Sequence, residues 1–277
     1  MLSVTPYHQR MKTSSLQRIG TAIAVVGSIV GTYFYTRSRT QRRSTFSKQR
    51  KEIDENLLTP SNETFGIMWP TIYTGTTALA IHQALPDQLD NPRYQKAVPW
   101  LLSSYALNNV FTYFFSRDDK ASRRASALTT IALLPNALML HKALEIGQTE
   151  VPQPERTFQK SISLYAGWLT AASVISAGNL LLQSGIKIPE SLKGKVTCGA
   201  LSATATLGIG MAKKLNDPYY LLPFIAAFVG IASKQYGERD DVALCAGTLA
   251  LTVAGAFVTQ LQEAKPSQEL AETNPAE

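Results

Sequence analysis

The chain has 277 residues, 45% of them hydrophobic and 17% charged, with a net charge of +7 and a mean hydropathy of −0.04. Two cysteines, Cys198 and Cys245, give neither a disulfide framework nor metal-ligand spacing, and the basic excess is gathered in one linker, which argues against a nucleic-acid surface. The near-zero hydropathy excludes little, because the charges are clustered. Uncharged windows run over 19–36, 64–86, 97–116, 125–141, 161–186, 196–212, 218–233 and 242–262. Crossing a bilayer takes roughly 17–25 apolar residues, and most of these windows reach that length. A helix on a soluble surface would carry Lys or Glu every third or fourth position. The pattern therefore predicts an all-α, polytopic transmembrane bundle of about eight helices, with 19–36, 196–212 and 218–233 the weakest spans.

In chain order, residues 1–18 read as a polar tail and 19–36 as a retained helix. Its Gly27 and Gly31 form a GxxxG with Gly20 and Ala24 on the same side, a face that lets helices approach closely and through which two copies of the chain could pair. A basic, then acidic linker follows. Residues 37–63, 117–124, 187–195 and 234–241 hold 16 Lys and Arg, and the rest of the chain holds 11. That imbalance places the 37–51 linker on the cytoplasmic, stromal or matrix side, next to anionic lipid.

The second helix carries Phe65, Trp69 and Tyr73 at four-residue steps, one aromatic stripe in a segment without charge. The third ends in Asn108 and Asn109 within an apolar run. Two adjacent amides there are expensive unless bonded, so at least one faces a partner helix or a cavity. The fourth has Pro135 mid-span. On the fifth, Tyr165, Trp168, Ala172, Ser176 and Asn179 share a face by steps of three and four, a second aromatic and polar stripe. Three further helices occupy 184–262, and 263–277 read as a disordered polar tail.

Three of these helices together resemble the TspO/MBR family, the tryptophan-rich sensory and translocator proteins. Pro60, Phe65, Gly66, Trp69 and Tyr73 match its second helix, while Leu107, Asn108, Thr112 and Phe115 are similar to its third. Tyr165, Trp168 and Ala172 look like its fifth, and the order of the motifs agrees. Phe111 stands where the family usually has Trp, and Ser176 where its fifth-helix Asn is expected, with Asn179 one turn on. The resemblance covers a five-helix membrane core at 19–183 and leaves 184–262 as additional transmembrane helices, similar to a longer subgroup.

The resemblance implies a pocket between helices for a planar apolar molecule such as a porphyrin (tetrapyrrole) or a sterol-like lipid, in a sensor or carrier. The candidate ligand-binding residues are Phe65, Trp69, Tyr73, Asn108, Phe111, Tyr165, Trp168, Ser176 and Asn179. No Ser-His-Asp set, paired intramembrane carboxylates or phosphate loop is present, so catalysis is not expected. No cofactor is fixed by the sequence beyond a porphyrin- or haem-like ligand. His82 and His141, near helix ends on one predicted side, could ligate haem iron or simply sit at the interface. The expected partners are membrane lipid and the small apolar ligand, with no nucleic acid. The competing functions are a secondary transporter, which should show ionisable residues at mid-membrane, and a non-catalytic structural partner of a membrane complex.

Overall fold

The computed structural model describes residues 5–42, 55–117 and 119–264. Most of the 37–51 linker and the tail after 264 lie outside the described residues. Among the described residues there are eight α-helices and no strands: α1 Thr5–Arg42, α2 Asn62–His82, α3 Pro92–Phe115, α4 Lys120–Ala143, α5 Glu155–Gln183, α6 Glu190–Leu215, α7 Leu222–Gln235 and α8 Asp240–Ala264. The sequence expectation of eight helices holds. α1 begins well before the uncharged window, so most of what reads as an N-terminal tail continues the helix.

Local chemistry explains where the helices start and stop. Asn91 caps α3 by accepting from the Arg93 N–H at 3.1 Å, with Pro92 at the first position. Asp119 caps α4, accepting from the Ser122 N–H at 2.8 Å and its hydroxyl at 2.6 Å. These bonds hold the Asp119 carboxyl below its usual pKa, so it stays ionised at the helix start. α6 ends on Asn216 in the left-handed region, at φ 51°.

From α2 onward, connections of four to eleven residues make successive helices antiparallel. α5 is the central helix, packed against α2, α4, α6 and α7. The helices after residue 183 share one core with those before it, since Met68, Trp168, Phe224 and Val253 belong to the same buried cluster. α1 lies on the outside against α2 and α3. Its Arg18 is 2% exposed and reaches the α2–α3 turn, donating to Gln83 Oε1 at 3.2 Å and to the Leu89 carbonyl at 3.1 Å.

By length and composition, three helices can cross a membrane: Ser15–Ser38, Glu155–Gln183 and Asp240–Glu263. Three is fewer than the eight windows read as spans from the sequence, and two particulars also differ. The first window, ranked among the weakest, is one of the three. α7, at 14 residues, is about 21 Å long, short of a hydrocarbon core of about 30 Å. The outer surface is nevertheless apolar. Leu244 is 74% and Leu251 77% exposed on α8, a pattern suited to lipid and unsuited to water.

Helices cross most closely at glycines. A Cβ at Gly167 of α5 would lie 2.2 Å from the Tyr220 carbonyl oxygen, and one at Gly230 of α7 would lie 2.0 Å from Thr64 Oγ1 of α2. By contrast, Gly20, Gly27 and Gly31 have nothing within 4 Å, so this chain leaves its GxxxG face open. Gly66, part of the second-helix motif, is equally open. Gly167→Ala is therefore expected to destabilise the protein by about 1–3 kcal/mol, because backbone rather than a flexible side chain must move. Gly66→Ala should be neutral or stabilising by up to about 1 kcal/mol through helix propensity. Thermal unfolding of the two variants in detergent checks the contrast, and equal midpoints would mean that α5 does not approach Tyr220 so closely.

The remaining sequence features resolve simply. Cys198 and Cys245 are free, half-buried and side by side across α6 and α8. His82 and His141 are buried rather than interfacial. His82 Nδ1 is bonded to the Tyr94 hydroxyl at 2.7 Å and His141 Nε2 to Asp217 Oδ2 at 2.9 Å. Both tie helix ends to neighbouring segments.

Candidate ligand cavity

α3 packs on α4, α4 on α5, and α5 on α2, while α2 and α3 scarcely touch. Between these four helices lies a cavity of about 400 Å³, in the range of small-molecule sites. At one end side chains bridge α2 and α3, where the Thr76 and Tyr105 hydroxyls are hydrogen-bonded and the Tyr73 and Tyr105 rings lie 6.5 Å apart. The mouth is toward the start of α2 and the end of α3, where Asn62 and Phe115 stand in the lining.

Antiparallel helices turn residue number into depth. α2 and α4 descend from the mouth, while α3 and α5 rise toward it. Phe65 and Trp69 line the α2 side, and Asn108, Phe111 and Phe115 the α3 side. α4 contributes Arg123, Ser126, Thr130 and Leu133 at steps of three and four, and α5 contributes Leu169, Ala172, Ser176 and Asn179. From Arg123 to Leu133 the α4 wall is about 15 Å deep.

At the floor, the Asn108 amide donates to the Tyr165 hydroxyl and to the Ser104 carbonyl, both at 2.9 Å. Both of its N–H groups are thus used, and its carbonyl oxygen accepts from no described protein donor. Phe111 and Phe115 stack with centroids 5.1 Å apart and planes 25° apart. Near the mouth, Asn179 Oδ1 accepts from Asn56 Nδ2 at 2.8 Å, pinning the segment before α2 to α5.

Six of the nine residues expected from sequence therefore line the cavity: Phe65, Trp69, Asn108, Phe111, Ser176 and Asn179. Tyr73, Tyr165 and Trp168 do not. All three lie on the expected face, but Tyr73 and Tyr165 stand about one turn below the floor and Trp168 stands behind the wall. Tyr73 is stacked beneath Trp69, with centroids 5.2 Å apart. Tyr165 is occupied by Asn108. Trp168, 1% exposed, packs edge-on behind Phe65 at 5.4 Å and Trp69 at 6.2 Å. Neither His82 nor His141 lines the cavity, so the iron-ligand reading finds no support in its walls.

The other adjacent amide, Asn109, turns the opposite way, bonding Ser28 at 2.9 Å and Thr32 at 3.3 Å on α1. Sequence reasoning missed the α4 wall. Its signal was present, since Arg123, Ser126, Thr130 and Leu133 repeat at helical spacing. It also missed Asn136, beside Pro135, whose amide bonds the Trp100 carbonyl at 2.9 Å and joins α4 to α3.

An all-helical bundle with an apolar exterior and an aromatic-walled cavity between four helices is the architecture of a membrane ligand-binding protein. Comparison with protein families agrees. Residues 18–259 match the family described as TSPO-like protein, so the chain belongs to that family and is an integral membrane protein. The match runs through the first five helices and the three that follow. No curated protein and no solved structure matches the chain.

Proposed function

We propose that the protein is a non-catalytic sensor or carrier that binds a planar apolar molecule, such as a porphyrin, in the cavity between α2, α3, α4 and α5. The observation that carries this reading is the lining. Phe65, Trp69, Phe111 and Phe115 present flat or edge-on rings around a volume of about 400 Å³, with the free Asn108 carbonyl oxygen at the floor. Rings on both sides favour a flat guest, and the Asn108 oxygen offers an acceptor that orients it.

Titrating a porphyrin into the protein in detergent is expected to quench tryptophan fluorescence. Trp69 is in the wall, and Trp168 stands 6.2 Å behind it. Trp69→Ala should weaken binding several-fold, since a stacking ring is worth on the order of 1 kcal/mol, with little loss of stability because Trp69 is only partly buried. A folded Trp69→Ala variant that binds as tightly as the parent would sink the assignment and favour a structural partner of a membrane complex.

A further inference from the structure

Cys198 and Cys245 lie outside the cavity lining and take no part in the reading above. They stand on α6 and α8, which run parallel and start at the same end of the bundle as α4. The two helices meet where Gly194 faces Asp241. A Cβ at Gly194 would lie 1.8 Å from Asp241 Oδ2, so the lack of a side chain there lets the helices come together. Cys198 follows Gly194 by one turn, and Cys245 follows Asp241 by one turn, so the same register matches the two thiols. Cys198 Sγ donates to the Asp241 carbonyl at 3.8 Å, and the Cys198 and Cys245 thiols are hydrogen-bonding neighbours.

We propose that these two cysteines are a reversible redox site: a low-molecular-weight disulfide oxidises them to an intramolecular disulfide that staples α6 to α8.

The positions are held before the bond forms. Arg239, in the turn before α8, donates to Glu190 Oε1 of α6 at 2.9 Å and to both Asp241 carboxylate oxygens at 3.2 Å, which ties the starts of the two helices together. The thiols are also within reach of a reagent in water. Both are half-buried rather than buried, and they sit one helical turn, about 5 Å, below the exposed Asp241 carboxylate. That depth is comparable to the headgroup layer on one side of a bilayer. A metal does not compete for them, since among the described residues no group of three or more His, Cys, Asp and Glu side chains is placed to hold one.

The exchange has two steps. One cysteine thiolate attacks a sulfur of the small disulfide, forming a mixed disulfide and releasing one small thiolate. The second cysteine thiolate attacks the protein-side sulfur of that mixed disulfide and displaces the other small thiolate. The two protein thiols thus lose two electrons and two protons, and the small disulfide leaves as two thiols. The bond closes a loop of about 45 residues that contains α7. The Gly230 carbonyl of α7 accepts from the Ser61 N–H at 3.2 Å, so the stapled helices support the start of α2.

The test uses the full chain in detergent, incubated with oxidised glutathione or with dithiothreitol and then blocked with N-ethylmaleimide. After glutathione, non-reducing peptide mapping should find the peptide holding Cys198 joined to the one holding Cys245. After dithiothreitol, both cysteines should carry the blocking group. The oxidised protein should unfold about 5 °C higher, as expected for closing a loop of that length, and dithiothreitol should reverse the gain. Cys198→Ser and Cys245→Ser should each stop at the mixed disulfide, with one glutathione attached and no gain in midpoint. Unreacted thiols, a parent that stops at the mixed disulfide, or a bond between two copies of the chain would each overturn the site. A closed bond that leaves the midpoint unchanged or lowers it overturns the staple. The peptide map of the parent decides the pairing even if a serine variant does not fold.

Discussion

Trp168→Ala is expected to destabilise the protein by about 3–5 kcal/mol, the range for deleting a fully buried aromatic side chain. Trp168 is 1% exposed, at the centre of the helix that touches four others, and it backs both Phe65 and Trp69. Its indole N–H has no hydrogen-bond partner. Trp168→Phe therefore loses volume but no polar contact, and should cost less than half as much. Ligand affinity should fall only indirectly, as the two rings in front lose support. Thermal unfolding in detergent, run beside porphyrin titration, separates the roles of the tryptophans. Trp69→Ala should lose affinity and keep its midpoint, whereas Trp168→Ala should lose its midpoint. A Trp168→Ala variant with the parent's midpoint and greatly weakened binding would put Trp168 in the cavity wall after all.

Glu155→Ala should cost a similar amount, about 3–5 kcal/mol, by breaking a largely buried ion pair from one side. The Glu155 side chain is 3% exposed at the start of α5. It accepts from Arg93 Nε at 3.1 Å and Nη2 at 3.0 Å, from Asn91 Nδ2 at 3.3 Å and from Gln159 Nε2 at 3.2 Å. This one carboxylate joins the start of α3 to the start of α5 at the end of the bundle away from the cavity mouth. Its removal strands the Arg93 guanidinium, which is 18% exposed and has lost its partner. Glu155→Gln keeps the shape and an acceptor and should lose less. Because much of the penalty is the stranded charge, adding Arg93→Ala to Glu155→Ala should cost little more than Glu155→Ala alone. A loss below about 1 kcal/mol, checked by thermal unfolding, would mean that water already solvates the pair, as at exposed sites.

The sequence by itself determined the helices. Charge is excluded from segments destined for the interior of a bundle or for lipid, so the uncharged windows mark eight helices before any packing is known. Periodicity likewise determined faces, since side chains three and four apart must share one. Phe65 with Trp69, and Ser176 with Asn179, were legible in that way, as was the need of Asn108 and Asn109 for partners. The order of the three motifs was enough to suggest the family.

What only the tertiary structure decided was depth and contact. Tyr73, Tyr165 and Trp168 share faces with cavity residues, yet Tyr73 is stacked beneath Trp69, Tyr165 is bonded to Asn108 and Trp168 is packed behind Phe65 and Trp69. Nothing in the spacing along one helix says how far it stands from another. For the same reason the GxxxG face of α1 is open while Gly167 and Gly230 sit at close crossings. His82 and His141, which sequence could only place near helix ends, became buried hydrogen-bonding partners of Tyr94 and Asp217. Arg123 read as one more charge in a short loop, and it lines the cavity because the first turn of α4 faces α2 and α5 there. Local sequence sets which way a side chain points on its own helix. The distances between helices come from packing side chains far apart in the chain, and those distances place the site.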